Sequence, residues 1–502
     1  MNRKISTQFI LVSILALIIN SSCRKSVTQM PGNKPDIEFY ALSNANTLLK
    51  YNANNTASAI SNVSITGLQS GETIMAIDFR PATGQLYGLG STSRLYIINH
   101  ETGIATAVGA SPFTPAITGS MAGFDFNPAV DRIRLVTSSG QNLRLNPETG
   151  AVAATDGVIN PGSPSVTGVA YTNSMAGATS TVLYDIDMAT GKLFKQDPPN
   201  NGTLIEVGSL GVTASGEGGF DISADNKAAL ASFNISGVSV LYQIDLTTGM
   251  AANLGNISGT ITGIAIPTMP VAYAVDISNN LQIFNFKNPG MPVNKAITGL
   301  QPAENILGID MRPANGQLFA LGSSSRLYTI NLSSGVATAV GSMPFLTPLA
   351  GTEFGFDFNP TVDRIRVVSN TGQNLRLNPV DGTVAVVDMP LNPGLPMVSA
   401  AAYTNNFAGA TSTALFDIDP ATDKLYKQSP PNDGTLIEIG SLGVDIVSEN
   451  GFDIGGTSNM AYGLLTSGTS TKIYSINTTT GMATQLADFP NTVKAFAVGL
   501  GF

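Results

Sequence analysis

The sequence has very few of the residues on which most catalytic and metal sites depend. It contains one cysteine, one histidine and no tryptophan among 502 residues. A repeated Ser-His-Asp triad, a zinc site built on cysteine and histidine, and an iron site with two histidines are therefore excluded. The histidine, His100, stands beside an expected turn, and we predict a solvated loop residue there. The lack of tryptophan argues against a sugar platform built on indole rings.

Charged residues are also scarce, and most of those present are acidic. Lys and Arg number 25 against 34 Asp and Glu, which gives a formal net charge of -9. No run of Lys and Arg is longer than two residues. A nucleic-acid-binding protein needs a basic face that displaces counterions from phosphates. The sequence therefore predicts no nucleic-acid partner.

Turn-forming residues are abundant. The chain has 52 Gly and 28 Pro, while apolar residues make up 43% of it. Thr, Ser, Asn and Val are common, whereas Lys and Glu are scarce. This composition excludes a coiled coil, a helical solenoid and a long disordered tail. It favours an all-β protein with many tight turns.

The first residues are typical of a secretion signal. Arg3 and Lys4 precede an apolar run, residues 9–19, that is too short to span a bilayer and is broken only by Ser13. The stretch Asn-Ser-Ser-Cys that ends at Cys23 resembles the lipobox of bacterial lipoproteins, although Leu is usual where Asn20 stands. We predict a signal peptide over residues 1–22, a lipidated Cys23, and a tether that extends to residue 36. Arg24 favours sorting to the outer membrane, with the periplasmic side slightly preferred over the cell surface.

The rest of the chain is one unit present twice. Residues 78–221 match residues 310–453 at a constant offset of 232, with about 91 identities in 144 positions and no gap. We therefore predict two repeats, residues 37–268 and 271–502. The duplication lies within one chain, so it indicates architecture and not conservation among relatives.

A shorter period lies within each repeat. Short alternating segments end at a residue that can open a turn, at intervals of 46 to 51 residues; these residues are Asn52, Asn99, Asn146, Asp197 and Asp245, then Asn285, Asn331, Asn378, Ser429 and Asn477. Each interval has room for four strands, which in the second unit we place at 85–89, 94–99, 104–109 and 123–126. Four antiparallel strands in 40 to 50 residues are typical of a β-propeller blade. We predict two tandem β-propellers of about five blades each; the alternative is one ring of ten blades.

Several segments carry a family resemblance. DFRPATGQLYGLGSTSRLY, GFDFNPAVDRIRLV, GQNLRLNPETG and LYDIDMATGKLFKQDPPNNGTLIEVGSLGV resemble the bacterial family known as domain of unknown function 4394, and so do their second copies. The resemblance covers nearly all of both repeats. It implies a secreted propeller, and it supplies no catalytic residues.

The segment from Asp125 to Arg134 is the richest in chemistry. We expect it to span the end of one blade and the inner strand of the next, with Arg132 and Arg134 on one side of a strand that faces the central channel. Two guanidinium groups there would bind a carboxylate or phosphate. The alternative is structural, because Asp78, Asp125 and Asp221 repeat at blade spacing and could serve as latches. The candidate ligand-binding residues are Arg80, Asn127, Asp131, Arg132, Arg134 and Asn173, with Asn359, Asp363, Arg364, Arg366 and Asn405 in the second repeat.

Paired aspartates give a weaker hypothesis of a metal site. Asp185 and Asp187 alternate on an expected strand, so their carboxylates share a face and could hold Ca²⁺. No complete calcium-loop pattern accompanies them. The metal candidates are Asp125, Asp185 and Asp187, with Asp357, Asp417 and Asp419 in the second repeat.

These observations predict a lipid-anchored envelope protein that binds a partner and does not catalyse. The expected partner is an envelope protein, a peptide or a glycan, and no resident cofactor is expected. One alternative is a propeller lyase or lactonase that uses Ca²⁺ at the aspartates. Another is a structural spacer.

Overall fold

The fold was analysed in a computed structural model that describes residues 34–214, 218–447 and 450–502. The predicted signal peptide, Cys23 and most of the tether lie outside the described residues. The described part contains forty β-strands, two single turns of 3₁₀ helix at Pro199–Asn201 and Pro431–Asp433, and no α-helix. No helix in these ranges has the length and hydropathy needed to cross a membrane.

The first repeat contributes twenty strands that form five four-stranded antiparallel sheets. In chain order they are β1 Glu38–Ser43, β2 Thr47–Asn52, β3 Ser61–Ser64, β4 Ile74–Phe79, β5 Leu86–Gly90, β6 Arg94–Ile98, β7 Ala105–Val108, β8 Ala122–Asn127, β9 Arg132–Thr137, β10 Asn142–Leu145, β11 Val152–Thr155, β12 Val166–Tyr171, β13 Leu183–Asp187, β14 Lys192–Gln196, β15 Leu204–Ser209, β16 Phe220–Ile222, β17 Ala229–Ile235, β18 Val238–Ile244, β19 Ala251–Ile257 and β20 Ile261–Ala265.

The second repeat contributes the other twenty strands and five sheets. They are β21 Ala272–Asp276, β22 Asn280–Asn285, β23 Asn288–Ala296, β24 Ile306–Arg312, β25 Gln317–Gly322, β26 Arg326–Ile330, β27 Ala337–Val340, β28 Phe354–Asn359, β29 Arg364–Ser369, β30 Asn374–Leu377, β31 Val384–Val387, β32 Ala400–Tyr403, β33 Leu415–Asp419, β34 Lys424–Gln428, β35 Leu436–Ser441, β36 Asn450–Ile454, β37 Ala461–Ser467, β38 Ser470–Ile476, β39 Ala483–Phe489 and β40 Val493–Val498.

Each repeat forms its own ring of five sheets, which are the blades. The inner strands β20, β4, β8, β12 and β16 lie side by side in that order, and β16 adjoins β20 again. Strands β40, β24, β28, β32 and β36 form the same circle in the second repeat. The prediction of two five-bladed propellers is confirmed, and the single ten-bladed ring is wrong.

One blade in each ring is completed by strands from both ends of the repeat. Blade 1 has the order β20-β1-β2-β3, so the last strand of the repeat pairs with the first. Blade 6 is built in the same way from β40, β21, β22 and β23. Blades 2 to 5 and 7 to 10 use four consecutive strands each.

The grouping of strands into blades differs from our expectation by one strand. We placed residues 123–126 with the three strands before them, but β8 is the inner strand of the following blade. Blade 2 instead begins with β4. The period of the sequence is correct in either case, because a repeating pattern does not show where each sheet begins.

The turn chemistry follows the sequence. The Asn99 side chain accepts hydrogen bonds from the backbone N–H groups of Glu101 and Thr102, each at 3.0 Å. The Asn146 side chain accepts one from Glu148 at 2.8 Å. Such side chains replace a backbone acceptor and favour a tight turn between strands. The residues chosen as turn openers therefore act as predicted at these positions.

The hydrophobic core lies between neighbouring blades. Tyr87 and Leu89 of blade 2, for example, pack with Phe124, Phe126 and Leu135 of blade 3. A single four-stranded sheet cannot bury both of its faces, so stacking around an axis supplies the missing cover. His100 also belongs to this packing: its side chain is 14% exposed and its ring lies edge-on to two aromatic rings, so the expected solvated position is wrong.

The two propellers contact each other through the face on which their inner strands end, which we call the turn face. Residues 80–85 follow β4 and contact the equivalent loop, residues 312–317, of the second propeller. The hydroxyl of Tyr273 donates to the carbonyl of Ala82 at 2.8 Å, and the N–H of Gly501 donates to that of Thr83 at 2.9 Å. Part of the turn face, including the predicted ligand residue Arg80, is therefore covered by the other propeller.

Candidate functional site

Three buried aspartates link neighbouring blades at the centre of the first propeller. Asp78, at the end of β4, accepts hydrogen bonds from its neighbour Phe79 at 2.7 Å and from Phe126 of the next blade at 2.8 Å. Asp125 accepts from the N–H of Tyr171 at 3.1 Å. Asp221 accepts from Ile266 at 2.5 Å. Each carboxylate thus binds the backbone of the following blade, which supports the structural alternative for these positions.

The second propeller repeats this arrangement with Asp310, Asp357 and Asp453. In each propeller the three aspartates bring carboxylate oxygens within 4.8 Å of one another. Burial, and then the carboxylates of Asp78 and Asp221, raise the pKa of Asp125. Burial raises the pKa of Asp221 to about 7, and that of Asp453 likewise. Protonation therefore relieves repulsion between these groups.

The predicted metal-binding aspartates have different surroundings in the structure. Asp125 and Asp357 belong to the two carboxylate clusters, which could supply oxygens to one cation each. Asp187 accepts hydrogen bonds from the N–H groups of Ser165 and Ala189, and so organises a turn. Its second copy, Asp419, binds the equivalent turn.

Asp185 and Asp417 have a different environment. Both are fully buried, and neither carboxyl oxygen of either residue has a hydrogen-bond partner within the described residues. Burial raises the pKa of Asp417 to about 8 and raises that of Asp185 well above its usual range. Neither residue belongs to a group of potential metal ligands within the described part of the chain.

Arg134 lies in a buried network and does not face the channel. Strand β9 is the second strand of blade 3, so our placement of Arg132 and Arg134 on a channel-facing inner strand is wrong. The Arg134 guanidinium donates to side chains of its own blade and of blade 4: Asn142 at 2.7 Å, Asp156 at 2.6 Å, Asn200 at 2.8 Å and Tyr171 at 3.3 Å. Arg366 makes the same four contacts in the second propeller.

The neighbouring candidates stabilise the same region. Arg132 and its copy Arg364 donate to the carbonyl of the preceding residue, at 2.7 and 2.8 Å. The side-chain oxygens of Asn127 and Asn359 accept hydrogen bonds from the backbone N–H two residues later, at 3.0 Å in each copy. These four residues therefore organise the turn between the first two strands of a blade.

Arg80 connects the two propellers. Its guanidinium forms a bidentate pair with Asp131, at 2.9 and 2.5 Å, and also donates to the carbonyl of Gly316 at 3.2 Å. The equivalent pair, Arg312 with Asp363, is partly exposed, with side-chain exposures of 19% and 36%. The same ion pair is thus buried in one copy and accessible in the other.

Asn173 also forms a contact between blades. Its backbone N–H donates to the side chain of Asn226 at 2.8 Å, and the Asn226 amide donates back at 2.6 Å. Asn405 and Asn459 repeat this reciprocal pair between blades 9 and 10. Most of the predicted ligand residues therefore already have hydrogen-bond partners within the protein.

An accessible cavity lies at the opposite end of the first channel, where the inner strands begin. We call this opening the first mouth; it encloses about 260 Å³. All five blades contribute to its lining, which consists of Asn44, Thr73, Ile74, Met75, Ser91, Ser120, Met121, Ala122, Thr167, Gly218 and Thr262. None of the described lining residues is charged. They form a mixed polar and apolar site that the sequence analysis missed.

The corresponding second mouth carries different side chains. Asn450 and Lys494 stand where the first mouth has Gly218 and Thr262, and Ser399 replaces Thr167. The Lys494 ammonium donates to Asn279 at 3.0 Å, and burial lowers its pKa. The Asn450 amide donates to Ser399 at 2.9 Å. The channel just inside the mouth is narrow in both propellers, about 10 Å³ in the first and about 20 Å³ in the second. Asn450 and Lys494 are larger than Gly218 and Thr262, so they occupy more of the second mouth.

A signal for this difference was present in the sequence. Between the two copies, Met121 becomes Glu353, Gly218 becomes Asn450 and Thr262 becomes Lys494, whereas the aspartate positions are unchanged. Substitutions that change size and charge between otherwise similar copies mark positions where the copies diverged. The unchanged positions of the two copies indicated the aspartate latches, whereas the substituted positions mark residues that line the mouth.

Comparisons with known proteins identify a family and no activity. The profile described as "Domain of unknown function (DUF4394)" matches residues 47–265 and 280–498. No curated protein matches the sequence.

Two similar solved structures are both bacterial. One is PorZ, described as an essential surface component of the type-IX secretion system of Porphyromonas gingivalis, with 14% identity and a TM-score of 0.26 over 92% of this chain and 60% of that one. The other is the extracellular domain of a one-component system from B. thetaiotaomicron, with 13% identity and a TM-score of 0.25 over 90% of this chain and 59% of that one. The chain thus spans about three fifths of each of these proteins.

Proposed function

Because the chain belongs to the DUF4394 family, for which no activity is described, we propose a function from its own geometry. It is a non-catalytic binding module of the bacterial envelope, anchored by a lipid at Cys23 and facing the periplasm from the outer membrane. The ligand binds at the first mouth. The ligand is an envelope protein, a peptide or a glycan, and not a nucleic acid.

One observation carries this proposal: the two copies share their latches but differ at their mouths. The first mouth encloses about 260 Å³, and at the second mouth Asn450 and Lys494 place larger side chains than Gly218 and Thr262 place at the first. Ligand sites in proteins are concave and combine apolar walls with a few polar groups. The first mouth has this composition, and the second propeller then serves as a covering and supporting body.

The predicted arginine sites support the same conclusion, because their guanidinium groups already bind side chains of the protein. Arg134 and Arg366 are buried and have four side-chain partners each, so a carboxylate or phosphate would have to displace an existing network. Asp125 binds the backbone of the next blade, which ties it to the stability of the ring. A reaction at the carboxylate clusters would require access to buried groups.

The experiment exchanges the residues that distinguish the mouths. In Thr262→Lys the new ammonium meets Asn46, which is equivalent to the Asn279 that binds Lys494, so the substitution fills the first mouth with a contact the fold already uses. The full chain, purified in detergent, is applied to an array of envelope-type glycans and peptides. We expect Thr262→Lys to lose at least about tenfold in affinity, the equivalent of 1.4 kcal/mol.

Lys494→Thr is the matched control, because it changes the equivalent position of the propeller that is expected not to bind. It should retain the wild-type binding pattern. Equal binding by wild type and Thr262→Lys would refute the first mouth as the site. Loss of binding in Lys494→Thr alone would place the site in the second propeller.

A further inference from the structure

The first mouth has a composition that limits what it can bind. Resting on the proposed function, we propose that its ligand is a neutral carbohydrate, bound through a single sugar ring. Three properties of the cavity support this ligand: its hydrogen-bonding groups, the lack of charge on its described lining residues, and its size.

Several polar side chains line the first mouth. The hydroxyls of Thr73, Ser120 and Thr167 and the amide of Asn44 make no side-chain hydrogen bond within the described residues. Thr167 is only 4% exposed, whereas Asn44, Thr73 and Ser120 are exposed. All four groups are therefore available to a ligand, which would replace water at them. A ligand dense in hydroxyl groups supplies donors and acceptors for such groups.

The described lining residues disfavour ionic ligands. None of them carries a charge, so a bound carboxylate or ammonium would gain no counter-charge from them for its lost hydration, at a cost of several kcal/mol. Glu72, adjacent to Thr73, is buried and accepts hydrogen bonds from Thr92 and Tyr96. Both of its carboxylate oxygens are therefore engaged within the protein.

The apolar surface and the volume of the first mouth fit one sugar ring. Ile74, Met75 and Met121 supply apolar surface, and the flexible thioethers of methionine adapt to the C–H face of a pyranose. Ligand pockets for drug-sized molecules measure about 300–1,000 Å³. At about 260 Å³ the first mouth therefore accepts one sugar ring, while the rest of a glycan extends outward.

The test titrates the full chain with a panel of neutral hexoses and their methyl glycosides, and with the corresponding uronic acids and amino sugars, in a calorimeter. We expect at least one neutral hexose to bind, and its uronic acid and amino sugar to bind at least about tenfold more weakly. Thr167→Val keeps the side-chain shape and removes one hydroxyl, which should weaken that binding about three- to tenfold. Ser399→Ala, at the equivalent position of the second propeller, should bind as wild type.

The outcomes separate the ligand class from the site. If a peptide or a charged glycan binds in a Thr262-dependent manner and no neutral hexose competes with it, the carbohydrate inference is refuted while the site stands. If no probe binds in a Thr262-dependent manner, both fail. Equal affinity of a hexose and its uronic acid also overturns the inference, because the neutral cavity would then not discriminate.

Discussion

Arg134 offers the sharpest test of how the blades are held together. In Arg134→Met the side-chain length is retained, but Asn142, Asn200 and Tyr171 lose their donor. Asp156 keeps a bidentate contact with Arg144, at 2.8 and 2.9 Å, so no carboxylate is left alone. Asn142 and Tyr171 are buried, and each buried group left without its donor costs about 1–3 kcal/mol, so we expect a total loss of about 3–5 kcal/mol.

The expected result is a large loss of stability. A loss of that size lowers the melting temperature of a unit of 150–250 residues by roughly 6–20 °C. The assay is thermal unfolding followed by circular dichroism at 218 nm or so, with urea titration as a second measure. Arg366→Met should have a similar effect through the second propeller, because its four contacts are the same.

Arg132→Met is the control from the same strand. Its guanidinium contacts only the carbonyl of Asp131 among the described residues, so its substitution should change stability by less than about 0.5 kcal/mol. The reasoning is refuted if Arg134→Met melts as the wild type does. If that variant also lost binding on the array, Arg134 would be a ligand residue after all.

Two further predictions concern the carboxylate clusters and the anchor. Asp221 and Asp453 have pKa values of about 7 in the folded protein against a usual 3.8, so the stability they contribute is full in acid and is lost as pH rises from about 4 to 7. Each carboxyl accounts for about 1.4 kcal/mol of unfolding free energy per pH unit in this interval. Urea titrations at pH 5 and pH 7 should therefore show that Asp221→Asn loses that share of the pH dependence. An unchanged pH dependence would contradict the prediction, and it is the result expected if a cation keeps the carboxylates ionised. Cys23→Ser should abolish labelling by a radioactive fatty acid and release the protein from membranes, whereas retained label would exclude this anchor, since the chain has no other thiol.

The sequence contained enough to predict the architecture. The duplication at an offset of 232 and the turn residues spaced near 47 indicate the number of repeats and blades. Asn99 and Asn146 act through local hydrogen bonds that depend on few neighbours, and so their roles could be predicted from residue type alone. Asp78 could be recognised as a latch because Asp125 and Asp221 follow it at about one and three blade intervals.

The site depended on contacts that no local pattern specifies. Arg134 was placed one strand too far inward, because a period cannot indicate which strand lies next to the axis. Arg80 is buried only because Gly316 of the other propeller covers it. Thr262 and Thr167 have no distinguishing local pattern in the sequence. They line the first mouth only because the five inner strands begin around one opening.

The way in which each ring is completed also has a consequence for synthesis. Strand β1 has no inner neighbour until Ile261–Ala265 has emerged from the ribosome, so the first propeller cannot close during most of its own translation. The chain later presents a second strand of the same kind, Val493–Val498, which belongs beside β21. Because β20 is synthesised before β40, it can pair with β1 before the competing strand exists, and β40 then pairs with β21. A chain that is terminated before residue 261 would keep the edge of β1 exposed, and an exposed strand edge is a template for aggregation.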